Sequence, residues 1–382
     1  MQSETYLDPM RFIEGERLAE RAALPADAYT DPEQFTREQR RIFADSWLYA
    51  CAARQVAEPG DAVPVEVAGM PVIVTRDTGG ELRAFHNVCS HRGSKLLCES
   101  KRGRKSLVCA YHAWIYSLDG RLIRSQHFAG VDRRDLPDLS AEELGLKPLA
   151  VGQWLDFVFV HPDPGATPFT RHIAPVAERW QGYDLSSMRH AASLRYDFQA
   201  NWKLIVENFL ESYHVPFIHQ TLNTYSPFTE RYQIRLSEDI IGIGQGLYAP
   251  ERDREHLPRW PTTDDSLRAE YYSLFPTFLV GLMPDHLFAW HLEPVSAGRT
   301  VEHLDFYFAG DEALGPAFDS QRKSTLENWR QVNDEDFDIV QRMQEGCHSP
   351  AFERAVLSRR MERNINQFQS HVSRLTGEAR QR

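Results

Sequence analysis

Two short cysteine–histidine motifs restrict the folds open to this sequence more than any other feature. They are Cys89-Ser90-His91 and Cys109-Ala110-Tyr111-His112, and the 17 residues 92–108 lie between them. Thiolates and imidazoles bind zinc as well as iron–sulfur clusters, so the ligand types alone leave a zinc site open. A zinc finger is expected to show a cysteine pair followed by a histidine pair. Here each motif instead supplies one thiolate and one imidazole.

That arrangement matches a Rieske [2Fe–2S] cluster, in which two histidines replace two cysteines on one iron. The segment 86–120 contains C-x-H-R-G followed by Y-H-x-W-x-Y. It resembles the Rieske domain of ring-hydroxylating-type non-haem iron oxygenases. The resemblance implies that each loop gives one ligand to each iron, and the implied ligands are Cys89, His91, Cys109 and His112.

Some positions around these motifs depart from related sequences. Ala113 stands where many relatives of this family have glycine. Respiratory-chain Rieske proteins carry an extra cysteine pair that forms a disulfide beside the cluster, whereas Ser94 and Tyr111 occupy the matching positions here. That branch is therefore disfavoured. Free cysteines elsewhere usually behave as small apolar residues, and this is expected of Cys51, Cys98 and Cys347.

A second group of candidate ligands follows in the segment Asn201–His214, which is predicted to be a helix. Offsets of four and three residues place Glu207, Glu211 and His214 on one face of that helix, and Asn208 flanks them. Burying such a polar stripe is costly unless a metal or hydrogen bonds compensate. The pattern therefore predicts a buried site along this face.

Pro216 lies between His214 and His219 and is expected to break or kink the helix, which lets both imidazoles converge on one metal. Two histidines and one carboxylate with open positions are typical of non-haem Fe(II) oxygenases. In the family that the sequence resembles, the E-N-F…Y-H-x-x-x-x-H segment supplies both histidines, and a distant acidic helix supplies an aspartate. The resemblance places this third ligand at Asp336, with the neighbouring Asp334 and Asp338 as alternatives.

The resemblance also implies a role for Glu211, where many relatives carry aspartate. In the family, a carboxylate at this position bridges to a Rieske histidine of the adjacent subunit in a trimer. By that resemblance its partners are His214 and, across the interface, His112. Asn208, inside the E-N-F part of the motif, is grouped with Glu211 as a catalytic residue. A structural ion pair is the alternative role for Glu211.

The 382 residues are enough for two domains with separate cores. Residues 1–40 are predicted to be a helical lead-in, residues 41–162 an all-β Rieske domain, and residues 163–382 a catalytic domain. Strands with segregated helices in the last segment favour an α+β fold with an antiparallel sheet. The family resemblance implies that this domain is of the helix-grip, START/Bet v1-like, type.

Individual elements follow from local patterns. Charged residues spaced through the lead-in predict helices over residues 11–21 and 31–41. Helices are also predicted over 203–214 and 316–346. Short apolar runs bounded by turn residues predict strands, and these cover residues 63–67, 71–76, 107–109, 115–117, 154–161, 287–292 and 300–308.

Composition excludes some partners. A formal net charge of −11 and a pI near 5.8 argue against a nucleic-acid partner, which requires a basic surface. No stretch approaches the roughly 18 apolar residues of a membrane span, so no membrane partner is expected. Five cysteines in a chain of this length fit a reducing compartment, and a cytoplasmic location is expected.

The resemblance implies oxygen activation with electrons from NAD(P)H, delivered by a separate ferredoxin or flavin-dependent reductase, and a homotrimeric assembly. The sequence carries no convincing dinucleotide or flavin fingerprint of its own. A basic segment between the ligand pairs is a candidate docking surface for such a partner, and a solvated loop is the alternative. Its basic residues are Arg92, Lys95, Lys101, Arg102, Arg104 and Lys105.

Two features bear on the substrate. Aromatic residues between Phe217 and Phe275 are numerous enough for a cation–π cage, although most are expected to be ordinary core. The segments 274–277, 283–286 and 292–294 resemble the choline- and betaine-oxidising branch of the family. The leading hypothesis is therefore hydroxylation or N-demethylation of a small quaternary ammonium compound with O2.

Three alternatives remain from the sequence. Within the same chemistry, the substrate is an aromatic acid that is hydroxylated or cis-dihydroxylated. From other classes, the chain is an electron-transfer Rieske protein, or a ligand-binding helix-grip module without catalysis.

Overall fold

A computed structural model describes residues 19–20, 23–131, 140, 143–249, 257–263 and 269–377. The chain divides into two compact units, one of residues 43–174 and one that joins residues up to 42 with those from 175 onward. The sequence boundaries at 41 and 163 mark changes of pattern, whereas the structural division falls at 43 and 175. The described residues of the N-terminal lead-in thus belong to the same unit as the residues from 175 onward. Of the helix predicted over 11–21, the structure describes only Ala19–Glu20, which form the short strand β1.

The N-terminal segment continues with two helices, α1 at Asp27–Thr30 and α2 at Pro32–Arg41. The Asp31 side chain accepts the N–H of Glu33 at 2.9 Å. Proline in the first turn of α2 lacks an N–H that would have no helical partner there anyway. The second of the two predicted N-terminal helices is confirmed.

The unit of residues 43–174 is built mainly from strands, as the all-β prediction required, and these strands pair antiparallel. The described strands form a six-stranded sheet, in the order β2-β10-β9-β5-β4-β3, and a three-stranded sheet, in the order β6-β7-β8. Helix α3 follows and crosses the division between the two units. The elements are β2 (Leu48–Ala52), β3 (Ala62–Val67), β4 (Met70–Arg76), β5 (Leu82–His86), β6 (Ser106–Val108), β7 (Trp114–Ser117), β8 (Leu122–Ser125), β9 (Pro148–Trp154), β10 (Phe157–His161) and α3 (Phe169–Arg179).

One strand prediction in this unit was only partly right. Most of the apolar run 154–161 forms β10, but Trp154 is the last residue of β9 and lies directly opposite Phe157, so a hairpin turn falls inside the run. Leu155, between them, has φ of 54°. Such turns usually contain glycine or asparagine, because a bulky residue rarely adopts this left-handed conformation. The turn at Leu155 has neither, and the sequence therefore shows no sign of it.

The second unit contains a seven-stranded antiparallel sheet in the order β11-β17-β16-β15-β14-β13-β12 among its described residues. The strands predicted over 287–292 and 300–308 lie inside β16 and β17, and the helix predicted over 316–346 lies largely inside α8. The elements are β11 (Met188–Phe198), α4 (Trp202–Phe209), α5 (Val215–Ile218), α6 (Gln220–Tyr225), β12 (Arg231–Arg235), β13 (Ile240–Gln245), β14 (Ala269–Leu274), β15 (Phe278–Leu282), β16 (His286–Ser296), β17 (Arg299–Ala309), α7 (Gly310–Ala313), α8 (Asp319–Cys347), β18 (Leu357–Ser358) and α9 (Arg363–Thr376). The α+β fold class is confirmed.

Helix packing in this unit holds the candidate iron site against the sheet. The long helix α8 packs against α4, α1 and β11, and α9 packs against α2 and α4. Buried apolar residues from the sheet and from both long helices form the core. They include Phe198, Ile205, Leu279, Phe288, Leu304, Phe306, Val340 and Phe368.

Helix α4 is shorter than the sequence predicted. Asn201 caps its start by accepting the N–H of Lys203 at 3.0 Å, and the helix ends at Phe209. Glu211 and His214 therefore lie beyond the helix, and the prediction of one continuous polar stripe was wrong. The Glu211 carboxylate accepts backbone N–H groups two and three residues ahead, at Tyr213 and His214. Such side chain–backbone bonds compete with helix propagation.

Pro216 does not break a helix between the histidines, as was expected, because α4 has already ended at Phe209. It occupies the first turn of the separate helix α5, where proline is well tolerated. Among the described residues, no helix is both long enough and apolar enough to cross a membrane.

Candidate active site

The two predicted cluster loops share one backbone form. Four positions after each cysteine, a residue adopts a left-handed conformation: Gly93, with φ of 71°, follows Cys89, and Ala113, with φ of 52°, follows Cys109. In both loops the N–H of that residue donates to the cysteine carbonyl at 3.0 Å. The left-handed conformation costs a residue other than glycine about 1–2 kcal/mol, which accounts for the glycine that many relatives have in place of Ala113.

The four predicted cluster ligands come together between these loops and the three-stranded sheet. Both thiols are buried. The Cys89 Sγ lies 3.2 Å from Tyr116 Oη, and burial raises the pKa of this thiol. The His91 ring meets His112 edge to face, with centroids 4.6 Å apart, and stacks on Trp114 at 4.8 Å.

A buried imidazole nitrogen tests whether these residues fit a cluster. Nδ1 of His112 is buried and has no hydrogen-bond partner among the described residues. Such an atom is costly unless something binds it. Two buried thiols beside two facing imidazoles, one with an unoccupied nitrogen, fit the ligand set of a Rieske [2Fe–2S] cluster.

The second candidate centre is built around helix α5. His214 precedes the helix, His219 follows it, and Asp336 reaches the same point from α8. One ligand atom from each of the three residues lies within 4.8 Å of the other two. Asp336 Oδ1 is 3.0 Å from Nε2 of His219 and 3.8 Å from Nε2 of His214. The structure thus brings together the three residues that the sequence analysis named.

The opposite ring nitrogens face carboxylates. Nδ1 of His214 contacts Oε1 of Glu211, and Nδ1 of His219 lies 2.7 Å from Oε2 of Glu335. A carboxylate that accepts a hydrogen bond from Nδ1–H fixes the tautomer in which Nε2 is free to bind a metal. Both histidines therefore present Nε2 toward Asp336.

Asp336 shows that the site fits a metal ion. Its Oδ1 is buried and accepts no hydrogen bond from the described residues. Burial raises the pKa of Asp336, but His219, His214 and Asn208 together outweigh burial and hold that pKa below its usual value. The carboxyl group is thus kept ionised. Two imidazoles and one carboxylate on one side of an open position fit non-haem Fe(II).

The neighbouring aspartates of α8 have other partners. Tyr196 Oη donates to Asp334 at 2.8 Å. Asp338 forms an ion pair with Arg342 on the outer face of the helix, and its side chain is 62% exposed. Neither contacts the two histidines, so the geometry favours Asp336 over both alternatives.

Three charged residues at this site were missed by the sequence analysis. Glu335 stands next to Asp336 in a run where only the aspartates were compared. Glu302, on β17, is buried, its Oε2 has no hydrogen-bond partner among the described residues, and burial raises its pKa to about 8. Arg231, on β12, is also buried. The strands of Arg231 and Glu302 carry further charged residues, such as Arg235 on β12 and Asp305 on β17, so no signal in the sequence separates Arg231 and Glu302 from them.

A cavity opens beside the ligands and encloses about 650 Å³, including space open to solvent. Of the aromatic residues suggested for a cage, Tyr271 lines this cavity, whereas Tyr272 is buried in the core and Phe217 is 67% exposed. Glu211 and Asn208 also line it. The aromatic wall comes mainly from other elements and consists of Phe198, Phe209, Tyr271, Phe288, Trp290 and Trp329.

Comparison with known families gives two matches. The model for the ring hydroxylating alpha subunit (catalytic domain) matches residues 185–378, which contain the histidine–aspartate site. The model for the Rieske [2Fe–2S] domain matches residues 46–133, which contain both cysteine–histidine loops. Each candidate centre thus lies inside the domain whose chemistry it fits.

Similar proteins span nearly the whole chain. The glycine betaine monooxygenase oxygenase subunit of Chromohalobacter salexigens is 28% identical over 400 residues, which cover 94% of this chain and 87% of that protein. The carnitine monooxygenase oxygenase subunit of Escherichia coli K12 is 28% identical, with 86% and 85% covered. The crystal structure of the quaternary ammonium Rieske monooxygenase CntA with its substrate L-carnitine superposes with a TM-score of 0.76 at 26% identity, covering 92% of this chain and 95% of that chain.

The catalytic-domain match covers just over half of the chain, and the Rieske match covers most of the first structural unit. Together they assign a [2Fe–2S] cluster and a mononuclear iron to this protein, with electrons supplied by a reductase. A pure electron carrier would not need the second centre. The chain belongs to the ring-hydroxylating oxygenase alpha-subunit family and is a Rieske non-haem iron oxygenase.

Proposed function

We propose that this oxygenase uses O2 and electrons from a separate NAD(P)H-dependent reductase to hydroxylate or N-demethylate a small quaternary ammonium compound. The observation that carries the proposal is the aromatic wall beside the His214, His219 and Asp336 site. A methylammonium cation binds the electron-rich faces of such rings. The relatives named for glycine betaine and carnitine support the same substrate class.

Five of the six rings of the aromatic wall pack against one another in a continuous series. Ring centroids are 4.5 Å apart between Phe288 and Trp329, 5.0 Å between Phe288 and Trp290, and 5.3 Å between Phe209 and Trp290. Tyr271 extends the wall from Phe288 at 5.7 Å. Rings packed against one another are held rigid, so a cation would find several preformed faces and lose little free energy to their ordering.

We assign roles to the residues of both centres on the same grounds. When bound, the cluster supplies electrons singly and the iron supplies oxygen activation. Glu211 and Glu335 hold the two imidazoles, and Asn208 supports the aspartate carboxylate. The proposed cluster ligands are Cys89, His91, Cys109 and His112, and the proposed iron ligands are His214, His219 and Asp336.

Demethylation and skeletal hydroxylation differ in their products. Hydroxylation of an N-methyl group places one atom of O2 in a C–H bond, and two electrons and two protons convert the other atom to water. The resulting N-hydroxymethyl ammonium loses its O–H proton to solvent and breaks its C–N bond, releasing formaldehyde and the amine with one methyl group fewer. Formaldehyde in step with O2 uptake therefore identifies demethylation.

The experiment that tests this function is a substrate panel. Glycine betaine, carnitine, choline and benzoate are incubated separately with the enzyme, O2, NADH and a surrogate reductase, and products are identified by mass. We expect turnover of at least one methylammonium compound and none of benzoate. Turnover of benzoate alone would replace the proposal with the aromatic-acid alternative. His214→Ala should give no product while keeping the visible spectrum of the cluster, and His348→Ala, at an exposed histidine after α8, is its matched control.

We further propose that the functional assembly is a homotrimer in which electrons pass between subunits. Large apolar side chains are exposed beside both centres: Tyr111 is 56% exposed next to His112, and Tyr213 is 50% exposed next to His214. Tyrosine is among the residues that are enriched at protein interfaces relative to the rest of the surface. The study of a related quaternary ammonium monooxygenase describes inter-subunit electron transfer.

Glu211 is the proposed link between subunits, with His112 of the adjacent copy as its second partner. Its carboxylate already holds His214 and can accept a further hydrogen bond, because a carboxylate has about four acceptor positions. Because Glu211 also holds His214, the Glu211→Gln variant is reconstituted with excess Fe(II) so that both metals are present, and we expect its turnover to be about 10- to 100-fold lower than that of the wild type. The check is metal content together with NADH consumed per product, with Glu230→Gln, at an exposed position, as the control. If the variant turns over substrate at the wild-type rate and consumes the same amount of NADH per product, Glu211 does not bridge the two centres.

For electron supply, we propose that an acidic ferredoxin or reductase docks on the basic segment of the Rieske domain. Arg92, Lys95, Arg104 and Lys105 are exposed there, whereas Arg102 is paired with the buried Asp61. Such docking predicts that the rate of cluster reduction falls as salt is added.

All five cysteines are free, in keeping with the cytoplasmic location that we propose.

A further inference from the structure

Arg231 is a buried cation in the wall of the catalytic cavity. It is 8% exposed and lines the same cavity as His214 and Asp336. Its hydrogen-bond partners are neutral. They are Ser226, whose Oγ accepts from Nη2 at 3.2 Å, and Gln245, whose amide oxygen, oriented by the hydrogen-bonding pattern, accepts from Nε at 2.7 Å.

The charge of Arg231 has no directly paired counter-ion in the described part of the chain: no carboxylate there forms an ion pair with it, and Glu211 and Asp336 act on it only through Coulombic attraction at longer range. Nη1 likewise donates to no described residue, so one edge of the guanidinium is open. A buried charge without an opposite charge is costly, and proteins rarely keep one that serves no purpose. A guanidinium matches a carboxylate in shape and forms paired, charge-assisted hydrogen bonds with it.

The acidic groups of the cavity come from other elements than Arg231. Arg231 is on β12, at one edge of the seven-stranded sheet, and Glu302 is on β17, next to the opposite edge. Asp336 comes from α8, and Glu211 from the segment before His214. Tyr271 lies between these regions on β14 and contacts Gln245, with 2.6 Å between its Oη and the amide. A ligand that spans the aromatic wall and reaches Arg231 could therefore place its cationic group against the rings and its anionic group at the guanidinium.

We propose that Arg231 binds the carboxylate of the substrate, so that carboxylated methylammonium compounds are preferred over amino alcohols such as choline. The inference rests on the proposed function and narrows its substrate class. The aromatic wall recognises the methylated nitrogen that both classes share, and Arg231 recognises the group that differs between them. Arg231 is thus a specificity-determining residue.

The test measures binding separately from turnover. Dissociation constants for the anaerobic holoenzyme are determined by calorimetry for two matched ligand pairs, glycine betaine with choline and benzoate with benzyl alcohol. We expect the wild type to bind glycine betaine at least about tenfold more tightly than choline. Arg231→Gln should raise the dissociation constant for glycine betaine about 10- to 100-fold, which corresponds to the loss of one or two charge-assisted hydrogen bonds. The dissociation constant for choline should change by no more than about twofold. Arg231→Lys should restore part of the loss.

Arg235→Gln is the matched control, because Arg235 lies on the same strand with its side chain exposed. Choline binding by Arg231→Gln reports that the cavity is intact. The inference is overturned if the wild type binds neither carboxylate or binds choline as tightly as glycine betaine, or if Arg231→Gln weakens both members of a pair equally. Turnover decides the proposed function independently. If Arg231→Gln weakens binding of benzoate alone, and no methylammonium compound is consumed, the result would support carboxylate binding by Arg231 and refute the methylammonium assignment.

Discussion

Individual carboxylates determine how the iron-site histidines point. Glu211 and Glu335 each contact an Nδ1 atom, and both Nε2 atoms then face Asp336. Glu211 comes from the segment before His214, whereas Glu335 reaches His219 from α8, so the ligand geometry depends on side chains that do not bind the metal. Loss of a hydrogen bond of this kind typically lowers metal affinity or activity about 10- to 100-fold.

Glu335→Gln tests this contribution. Glutamine can donate or accept at this position and no longer fixes the tautomer of His219, so we expect the affinity for Fe(II) to fall about 10- to 100-fold. Iron titration of the metal-depleted protein, followed by iron analysis, measures the change. Asp338→Asn changes an exposed carboxylate one turn along α8 and should leave affinity unchanged. Equal affinities for Glu335→Gln and the wild type would show that Glu335 does not orient the ligand.

Residues with a recognisable local spacing were predictable, and those placed by the tertiary fold were not. The cysteine–histidine motifs and the His214–His219 pair each lie within one short segment. Arg231 and Glu302 come from strands at different sides of one sheet, and no sequence interval relates them. Each strand also carries other charged residues, such as Arg235 on β12 and Asp305 on β17, so the sequence does not reveal which charged side chain lines the cavity.

At the scale of elements, helix α4 determines where the ligand loop begins. The buried Lys203 at its start pairs with Glu38 of α2 at 2.5 Å, and Trp202 Nε1 donates to the same carboxylate at 2.8 Å. These bonds connect the N-terminal segment to the helix that precedes the iron ligands. The early end of α4 was not predictable from periodicity, because it follows from the hydrogen bonds of Glu211 to the next turn.

Glu207 gives the stability of this helix a pH dependence. It is buried, Tyr29 Oη donates to it at 2.8 Å, and burial raises its pKa from 4.5 to about 7. The unfolded chain releases this proton near pH 4.5, whereas the folded chain holds it to about pH 7. The contribution of Glu207 to stability is therefore fully present below pH 4.5 and is lost as the pH rises through about 7.

Glu207→Gln should remove this dependence. We expect the free energy of unfolding of the wild type to fall between about pH 5 and pH 8 by more than that of the variant, because the variant has no buried carboxyl group to ionise. Denaturant unfolding at both pH values measures the difference. Glu345→Gln, at an exposed position of α8, should follow the wild type. Parallel pH profiles for Glu207→Gln and the wild type would contradict the assignment.

At the scale of the whole molecule, two kinds of metal centre share one polypeptide but lie in separate structural units. If electrons cross between subunits, a cluster-deficient copy and an iron-deficient copy can complement each other. We expect little activity from Cys109→Ser or His214→Ala alone and a clear recovery after the two are dissociated, mixed and reassembled. Each variant reassembled with itself is the control. No recovery in verified mixed assemblies would contradict inter-subunit transfer.

The most direct measurement is the iron and acid-labile sulfide content of the purified, anaerobically reconstituted protein. A [2Fe–2S] cluster and a mononuclear site together predict about three irons and about two sulfides per chain. His214→Ala should lower iron to about two without changing sulfide. Zinc in place of iron, or about two irons and two sulfides in a wild-type protein that nevertheless oxygenates substrate, would contradict the presence of two distinct iron centres.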